Sequence, residues 1–553
     1  MTACPVESLG GDRRATPGGR RRSRVAAIGP ALLFFAAWLI VADYHVRWRG
    51  CPYDDAFITY RHARNLIAGG GLVFNPGERV LGCSAPLFAL YCAGVGAVSE
   101  PLGVPLPDAV VSLNGLWFGL VALALATTVR RQCGPPAGWL AGTALLLSRG
   151  LFNVSIGGME SSLFTALVLW SWIGLTGSRP RTGALLAGLA GITRPEGLLA
   201  LPLAGWLAIS RRERVGLRRT LPLLVAPGVL WAAFALAYYG DLVPQSLRAK
   251  AAPIYPYTLH EAADAWSRVI VSHFFPRGAE LAGRVACGGL LLAAAVGAWR
   301  LRRRAPLVTA AFVFCAGCWA LYVASASRPV PWYRTHLLVP LSIAVLAPLL
   351  MAARRLRLDV PHRSPLRATA ALVLLAAACE LAGLHPWAAV RTLREPARAA
   401  APNSRVLDYR RVAEALDGAL PADATLLAPE VGALGYYCHQ RILDACGLVS
   451  PEALPYLPVP AALRGGRDVG AIPPAMVADL RPDYVVTLPG FAQAGLLRQA
   501  WFSRAYAPRW RFALHQPVWG NAEVVVYARI APAAAAQPGT AVTSLIESRA
   551  TRN

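Results

Sequence analysis

The chain has 553 residues, of which 55% are hydrophobic and only 15% are charged, and its formal net charge is +25. A soluble fold does not fit this composition, because apolar runs of bilayer-crossing length recur from about residue 25 to residue 384. The arginines fall in short clusters between apolar runs, with no basic stripe interleaved with aromatics, so we expect no nucleic-acid partner.

The first 24 residues are basic and precede the apolar run Val25–Val41. No small-residue cleavage site follows that run, which predicts an uncleaved first span with a cytoplasmic N-terminus. If the later arginine clusters also stay in the cytoplasm, the chain crosses the cytoplasmic (inner) membrane about eleven times and its C-terminal part lies outside. The predicted spans fall near residues 25–43, 109–129, 136–152, 162–177, 183–209 (broken into two), 220–239, 284–299, 307–326, 335–353 and 366–384.

Residues 44–108 form the predicted first external loop. The apolar stretch 85–98 is short for a span, and a crossing there would invert every later arginine cluster. We therefore predict that it lies along the outer interface. The stretch after Asp54 has helical apolar spacing and ends at three glycines, 69–71, which predicts a second juxtamembrane helix in the same loop.

From about residue 385 hydrophobicity drops, and short β-like runs alternate with helical ones. Residues 385–530 are therefore predicted to form a small extracytoplasmic α/β domain, and residues 531–553 a disordered tail. The predicted fold is a polytopic α-helical membrane domain over residues 25–384, followed by this small domain.

The first external loop contains two adjacent acids, Asp54 and Asp55. One reading is a helix N-cap, which a single aspartate would satisfy. Two adjacent carboxylates repel each other, so a second reading is chemical: proton abstraction, or binding of a hard divalent cation such as Mg, Mn or Ca. The local pattern leaves both readings open.

Five blocks in order resemble the GT-C superfamily of integral-membrane glycosyltransferases, especially arabinofuranosyltransferase-like members and relatives acting on lipopolysaccharide or other cell-surface glycans. The blocks are "DDAFITYRHARNLIAGGGLVFNPGERVLGCSAPLF", "GGMESSLF", "TRPEG", "YYGDLVPQSLRAK" and "WYRTHLLVPL", with a weaker likeness in "GALGYYCHQRILDACGL". The resemblance implies two juxtamembrane helices, a polyprenyl-phosphate sugar donor, a cell-envelope glycan or glycolipid acceptor, and an inverting transfer of arabinofuranose or a hexose. It also implies that Asp54 or Asp55 is the general base.

The same blocks contain candidate ligands for the donor phosphate. Lys250 is the only lysine in the chain, and its compact charge would suit a phosphate at the interface, although it could also be an ordinary surface residue. Arg334 has a planar fork suited to phosphate oxygens, and its alternative role is an interfacial anchor beside Tyr333. We predict that Lys250, Arg334 and Tyr333 bind the donor.

Three further charged residues, Glu160, Arg194 and Glu196, are predicted to bind substrate. Charges near a broken span are costly unless they are paired or face a cavity, so Arg194 and Glu196 have a structural ion pair as their alternative role. For Glu160 the alternative is a helix N-cap. Two disulfides are also predicted on the oxidising side, Cys51 with Cys83 and Cys438 with Cys446, with unpaired cysteines as the alternative.

Two other classes of function remain open at this point. A transporter or flippase of lipid-linked sugars would also contain broken helices and charges at membrane depth, but it would have little need for adjacent acids in an outer loop. A membrane scaffold whose tail binds a partner would not require so many polar blocks on one face. Glycosyl transfer is the function that the sequence favours.

Overall fold

The chain is a multi-pass helical membrane protein whose last part contains a β-sheet. The computed structural model describes residues 52–155, 157–210, 215–252, 257–275, 281–355, 377–385, 404–465 and 471–530, together with residues 35, 38, 39 and 374. The predicted first span, most of the predicted span at 366–384, Cys51, and the predicted tail from residue 531 lie outside these ranges.

Fourteen α-helices are described before residue 356. They are α1 (Asp54–Ile67), α2 (Pro86–Ser99), α3 (Leu106–Cys133), α4 (Pro135–Leu146), α5 (Arg149–Ser155), α6 (Ser161–Leu175), α7 (Pro180–Gly191), α8 (Gly197–Ser210), α9 (Val215–Tyr239), α10 (Gln245–Ala251), α11 (Leu259–Phe274), α12 (Leu281–Leu301), α13 (Pro306–Ala324) and α14 (Arg334–Arg355).

Five segments within the described residues are long and apolar enough to cross a bilayer, and they lie in α3, α9, α12, α13 and α14. Each overlaps a span predicted from the sequence, because a run of about 20 apolar residues has few other stable environments. The remaining predicted spans are shorter helices or fall outside the described residues. The polytopic class is therefore confirmed, whereas the count of eleven crossings stays a prediction.

The predicted break within residues 183–209 corresponds to the gap between α7 and α8, where the chain leaves helical geometry over residues 192–196. Pro195 lies in this gap, and a proline disfavours helical backbone at the residue before it. The break exposes backbone and side chains at Thr193–Glu196 to neighbouring helices. It is one of the segments that form the candidate site.

The loop between residues 52 and 105 contains the two short helices α1 and α2, which pack against each other. Helix α1 ends at Ile67 with Ala68 as its C-cap, and Gly69 follows with a φ of 79°, the left-handed conformation that glycine adopts without a steric cost. Two residues further along, a Cβ atom on Gly71 would lie 2.1 Å from the hydroxyl of Tyr238. The glycines therefore end the helix and allow the chain to pass close to α9.

The C-terminal domain, residues 404–530, is built on a five-stranded sheet in the order β2-β1-β3-β5-β4. The strands are β1 (Thr425–Ala428), β2 (Arg441–Asp444), β3 (Tyr484–Thr487), β4 (Tyr506–Val518) and β5 (Asn521–Arg529). The first three pair in parallel, and β5 joins β3 and β4 in antiparallel register. The main helices of this part are α15 (Ser404–Asp417), α16 (Gly432–Tyr437) and α17 (Pro474–Leu480).

Helix α1 holds the C-terminal domain through Arg61, which is 1% exposed. Its guanidinium donates to the carbonyl oxygens of Phe74 at 2.7 Å, Gly435 at 2.6 Å and Gln440 at 3.0 Å. Burial lowers the pKa of Arg61 to about 9, yet the fixed carbonyl dipoles solvate the cation. Next to it, the Asn75 side chain pairs with both the N–H and the C=O of Ile442 in β2.

The predicted disulfides are wrong for this structure. Cys83, Cys438 and Cys446 all have free thiols. The thiol of Cys438 donates to Gln440 Oε1 at 2.6 Å, whereas that of Cys446 donates to the carbonyl of Pro429 at 3.0 Å, so the two sulfur atoms have separate partners. Cys83 is buried beside Thr59, and its predicted partner Cys51 lies outside the described residues.

Substitution of Arg61 tests the link between α1 and the C-terminal domain. We expect Arg61→Met to lower the free energy of unfolding by about 3 kcal/mol, because it leaves buried carbonyl oxygens without donors. Limited proteolysis should then release the C-terminal domain faster. Arg79→Met is the matched control, since Arg79 is exposed and its main contact is the Tyr238 ring at 5.0 Å. Equal protease resistance of the two variants would contradict the assignment.

Candidate active site

Asp54, the first residue of α1, is 7% exposed and is bound by the C-terminal domain. Its carboxylate accepts hydrogen bonds from the amides of Gly432, at 3.1 Å, and Ala433, at 2.9 Å. A Cβ atom on Gly432 would lie 1.8 Å from the Asp54 carbonyl oxygen, so only glycine permits this approach. Asp54 therefore caps α16 rather than its own helix.

Asp55 is half-buried, and no hydrogen bond to its carboxylate is formed within the described residues. Burial and then the neighbouring Asp54 charge raise its pKa to about 6, against the opposing positive charges of Lys250 and Arg405. A carboxylate with a pKa near neutrality and no fixed partner can exchange a proton with a bound molecule. The two adjacent acids thus differ in environment, although the sequence presents them as a pair.

The aromatic ring of Tyr333 lies between two cations, Lys250 and Arg194. Lys250 Nζ donates to the Tyr333 hydroxyl at 3.2 Å, and the guanidinium carbon of Arg194 lies 4.8 Å from the ring centre. Tyr333 raises the pKa of Lys250, which keeps the lysine charged. Lys250 remains exposed, whereas Arg194 is 4% exposed. Lys250 is therefore the cation that an incoming ligand can reach.

Arg194 forms a buried ion cluster with Glu196 and Glu160, which are 3% and 6% exposed. Its Nε and Nη2 atoms donate to the two carboxylate oxygens of Glu196 at 3.0 Å each, and Nη1 pairs with Glu160. The two carboxylates compensate the positive charge of the buried Arg194. Glu160 occupies the N-cap position of α6 but makes no side-chain cap, because its carboxylate is directed at Arg194.

The ion cluster continues into the membrane-spanning helices through Tyr322 and His336. The Tyr322 hydroxyl donates to Glu196 Oε1 at 2.8 Å and lies 2.6 Å from His336 Nε2. Trp266 stacks on Tyr322 with ring centres 4.4 Å apart. The polar atoms of Arg194 and Glu196 are thus held by neighbouring side chains, which fits the structural alternative for this pair and leaves their substrate contact a prediction.

The glycines of the "GGMESS" block allow that segment to pack on the start of α1. A Cβ atom on Gly157 would lie 2.0 Å from the Tyr53 ring, and one on Gly158 would lie 2.4 Å from the Tyr60 hydroxyl. Tyr60 donates to the Gly158 carbonyl at 2.7 Å, and the Tyr53 amide donates to the Gly157 carbonyl at 2.8 Å. These contacts place Glu160 on the same side of the protein as Asp55.

Tyr53 also connects α1 to the "WYRTH" block. Its ring centre lies 5.1 Å from that of Trp332, and the charge of Arg334 acts on its hydroxyl, whose pKa burial raises to about 12. Arg334 is exposed at the start of α14. The structure therefore brings together the residues predicted for donor binding and the two aspartates.

The carboxylates of Asp54 and Asp55 do not form a preformed site for a divalent cation that both would bind. Both carboxylate oxygens of Asp54 already accept backbone amides. Within the described residues, no group of three or more His, Cys, Asp or Glu side chains has the arrangement of a metal site. The carboxylate that remains for a ligand is that of Asp55.

Sequence reasoning missed the contribution of the C-terminal domain. Arg405 forms an ion pair with Glu430 at 2.5 Å, and its charge acts on both Asp54 and Asp55. No motif signals either residue, because they lie some 350 positions from α1 along the chain. The available clue was the weak likeness at residues 432–448, which includes Gly432.

Comparison with known proteins shows what parts of the chain are similar to. A model of a domain of unknown function, DUF8728, matches residues 398–528. The chain is 32% identical over 249 residues to the terminal beta-(1->2)-arabinofuranosyltransferase of Mycobacterium tuberculosis, covering 40% of this chain and 37% of the relative. The protein of the same name from Corynebacterium glutamicum is 29% identical over 257 residues, with 39% and 35% covered. The chain thus spans little more than a third of the length of these relatives.

The crystal structure of ArnT from Cupriavidus metallidurans in the apo state superposes with a TM-score of 0.51 at 15% identity, and covers 91% of this chain and 98% of ArnT. The chain has the fold of ArnT, which is the GT-C fold, and over part of its length it is similar to the two arabinofuranosyltransferases. The resemblance predicted from the sequence is therefore confirmed.

Removing Arg194 tests the buried ion cluster. We expect Arg194→Met to lower the free energy of unfolding by about 3–5 kcal/mol, because it leaves two carboxylates buried without a counter-charge. Arg284→Met is the control: Arg284 pairs with Asp264 at 3.0 Å on the surface, and its loss should cost about 1 kcal/mol or less. Denaturant unfolding in detergent measures both variants, and similar costs would contradict the structural role of Arg194.

Proposed function

We propose that this protein is a membrane glycosyltransferase that moves one monosaccharide from a polyprenyl-phosphate donor to a cell-envelope glycan or glycolipid. Arabinofuranose is the sugar favoured by the names of the similar proteins, and a hexose is the alternative. We further propose that the site faces the outside of the cytoplasmic membrane, with the N-terminus in the cytoplasm. The observation that carries the proposal is the unpaired, half-buried carboxylate of Asp55 opposite Lys250.

The proposed reaction is a single inverting displacement. Asp55 removes the proton from an acceptor hydroxyl, the hydroxyl oxygen forms a bond to the anomeric carbon, and the bond from that carbon to the phosphate oxygen breaks. Polyprenyl phosphate leaves with the electron pair. Lys250 stabilises the negative charge on the departing phosphate, and Arg334 is a second cation within the same site.

Tyr333 is proposed to position Lys250, because the two side chains are hydrogen-bonded. The ion cluster of Glu160, Arg194 and Glu196 lies directly behind Tyr333 and supports the ring. We propose that this cluster acts mainly as a rigid base of the substrate cavity. Fixed charges of this kind lower the barrier without reorganising during the reaction.

Exchange of the two aspartates for asparagine separates catalysis from structure. Asp55→Asn should reduce transfer about 100- to 10,000-fold, the range for loss of a general base. It should not lower stability at neutral pH, because burial makes the ionised Asp55 carboxylate unfavourable in the folded state. Asp54→Asn should instead lower the free energy of unfolding by about 2 kcal/mol, through loss of a charge-assisted cap of α16.

The measurement is transfer of radiolabel from polyprenyl-phosphoryl arabinofuranose to acceptor in membranes, with polyprenyl-phosphoryl hexoses assayed in parallel. Thermal unfolding of the purified variants provides the stability comparison. Wild-type transfer rates for Asp55→Asn would refute the assigned base. Movement of donor across vesicles by the wild type without any transfer would support a flippase instead.

The pH dependence provides a second test. The pKa of Asp55 is raised to about 6, so the base form is lost as pH falls through that value, and kcat/KM should drop about tenfold per pH unit below it. Lys250→Met removes a positive charge that lowers this pKa, so the acidic limb should move to higher pH and the KM for the donor should rise. Lys250→Arg retains the charge and is the matched control. An unchanged limb in Lys250→Met would contradict the proximity of these groups.

A further inference from the structure

Lys250, the cation assigned to the donor phosphate, lies on a helix that is too short to keep its own position. Helix α10 has seven residues, and isolated helices shorter than about 12 residues are marginal in water. Lys250 is its penultimate residue, and the lysine Nζ atom lies 3.2 Å from the Tyr333 hydroxyl. Contacts at the other end of α10 therefore decide where the backbone of the lysine lies.

The start of α10 is bound on two sides through Gln245, which is 3% exposed. Its backbone amide donates to the carbonyl of Leu81 at 2.7 Å, and its side-chain Nε2 atom donates to the carbonyl of Gly447 at 3.0 Å. The first amide of a helix has no acceptor inside the helix, and Leu81 supplies one. Gln245 thus joins α10 both to the loop after α1 and to the C-terminal domain.

Gly447 is a fixed point of the C-terminal domain. It is buried in the turn after β2 and has a φ of 73°. The Asp444 carboxylate binds three amides of this turn, those of Cys446 at 2.8 Å, Leu448 at 2.6 Å and Val449 at 3.2 Å. These bonds hold the chain on both sides of Gly447, so its carbonyl is a rigid acceptor for Gln245.

The segments that meet at the start of α10 are closely packed. A Cβ atom on Gly82, the residue after Leu81, would lie 3.0 Å from Val449 Cγ1. Helix α10 also contacts the short 3₁₀ helix Pro451–Tyr456, which follows the turn that contains Gly447. Close-packed segments of this kind transmit a displacement instead of absorbing it. The position of α10 is therefore coupled to that of the C-terminal domain.

We propose that Gln245 is a positioning residue for Lys250: by binding the Gly447 carbonyl it fixes α10 to the C-terminal domain and so holds the lysine at the donor phosphate. This inference rests on the proposed function, because it assigns the support of the cation used in the same reaction. Lys250 follows Gln245 by about 7.5 Å along the helix axis. A lysine is a point charge on a flexible stem, so its place depends on the backbone that carries it.

The C-terminal domain then positions both reactive groups of the proposed site. Through the amide of Gly432 it holds Asp54, the neighbour of the proposed base. Through the carbonyl of Gly447 it holds the helix that carries Lys250. We therefore expect the affinity for the donor phosphate to depend on a contact made at the opposite end of α10 from the lysine.

Binding of farnesyl phosphate, a short polyprenyl phosphate, tests the proposal without any sugar transfer. In calorimetric titration of the full chain in lipid nanodiscs, Gln245→Met should bind about tenfold more weakly than the wild type, the equivalent of about 1.4 kcal/mol. Methionine keeps the length of the side chain but has no donor for the Gly447 carbonyl. Gln499→Met is the matched control, because Gln499 Nε2 donates to the Gly495 carbonyl, at 3.2 Å, within the C-terminal domain.

A double variant shows whether Gln245 acts through Lys250. Lys250→Met alone and Lys250→Met combined with Gln245→Met should bind farnesyl phosphate equally, because the cation that Gln245 positions is already absent. Gly447→Ala changes the same contact from the opposite side, since alanine is disfavoured at a φ of 73°. It should weaken binding in the chain that retains Lys250.

Chemical labelling reports the position of Lys250 without a ligand, because it is the only lysine in the chain. Acetylation of its amine, followed by peptide mass spectrometry, should be faster in Gln245→Met than in the wild type. The reason is that the amine is no longer held at the Tyr333 hydroxyl. Gln499→Met should be labelled at the wild-type rate.

Equal affinity of Gln245→Met and the wild type for farnesyl phosphate would overturn the positioning role, and so would an unchanged rate of labelling. Losses that add in the double variant would also overturn it, because they would show that Gln245 acts independently of Lys250. Absence of sugar transfer by a wild type whose binding of farnesyl phosphate depends on both residues would refute the proposed function and leave the positioning role intact.

Discussion

The structure depends on the pair of hydrogen bonds by which the Asp54 carboxylate holds the amides of Gly432 and Ala433. These bonds join the loop after the first predicted span to a domain almost 380 positions away. Successive residues of a helix point about 100° apart, so fixing Asp54 toward the C-terminal domain turns Asp55 toward Lys250 and Tyr333. The constraint also requires glycine at position 432, because any Cβ atom would collide with the Asp54 backbone.

Arg61 strengthens the same junction about two turns further along the same face of α1. A buried guanidinium that donates to several carbonyl oxygens is stable only when all of them keep their positions, so the loop and the C-terminal domain have to form together. The C-terminal domain is consequently part of the candidate site. Arg405 and Glu430, which no motif identifies, come next to the aspartates for this reason.

The charged residues of the site differ in burial, and the buried ones are those that are paired with each other. Arg194 and its two glutamates lie where unpaired charge would be prohibitive, and they satisfy one another with help from Tyr322. Lys250 remains accessible, and Asp55 has no fixed partner within the described residues. The accessible Lys250 and the unpaired carboxylate of Asp55 are the groups that we assign to substrates.

The amino-acid sequence by itself determined the membrane class, the approximate position of the long spans and the break near residue 193. The length of an apolar run and the effect of a proline on the residue before it are both local properties of the chain. It also determined which polar blocks matter, through their order and residue types. Only the tertiary structure decided which aspartate is free, that Glu160 pairs with Arg194 instead of capping its helix, and that Cys438 and Cys446 do not meet. These outcomes depend on contacts between segments distant in the chain, and such contacts are set by packing and burial that no local pattern records.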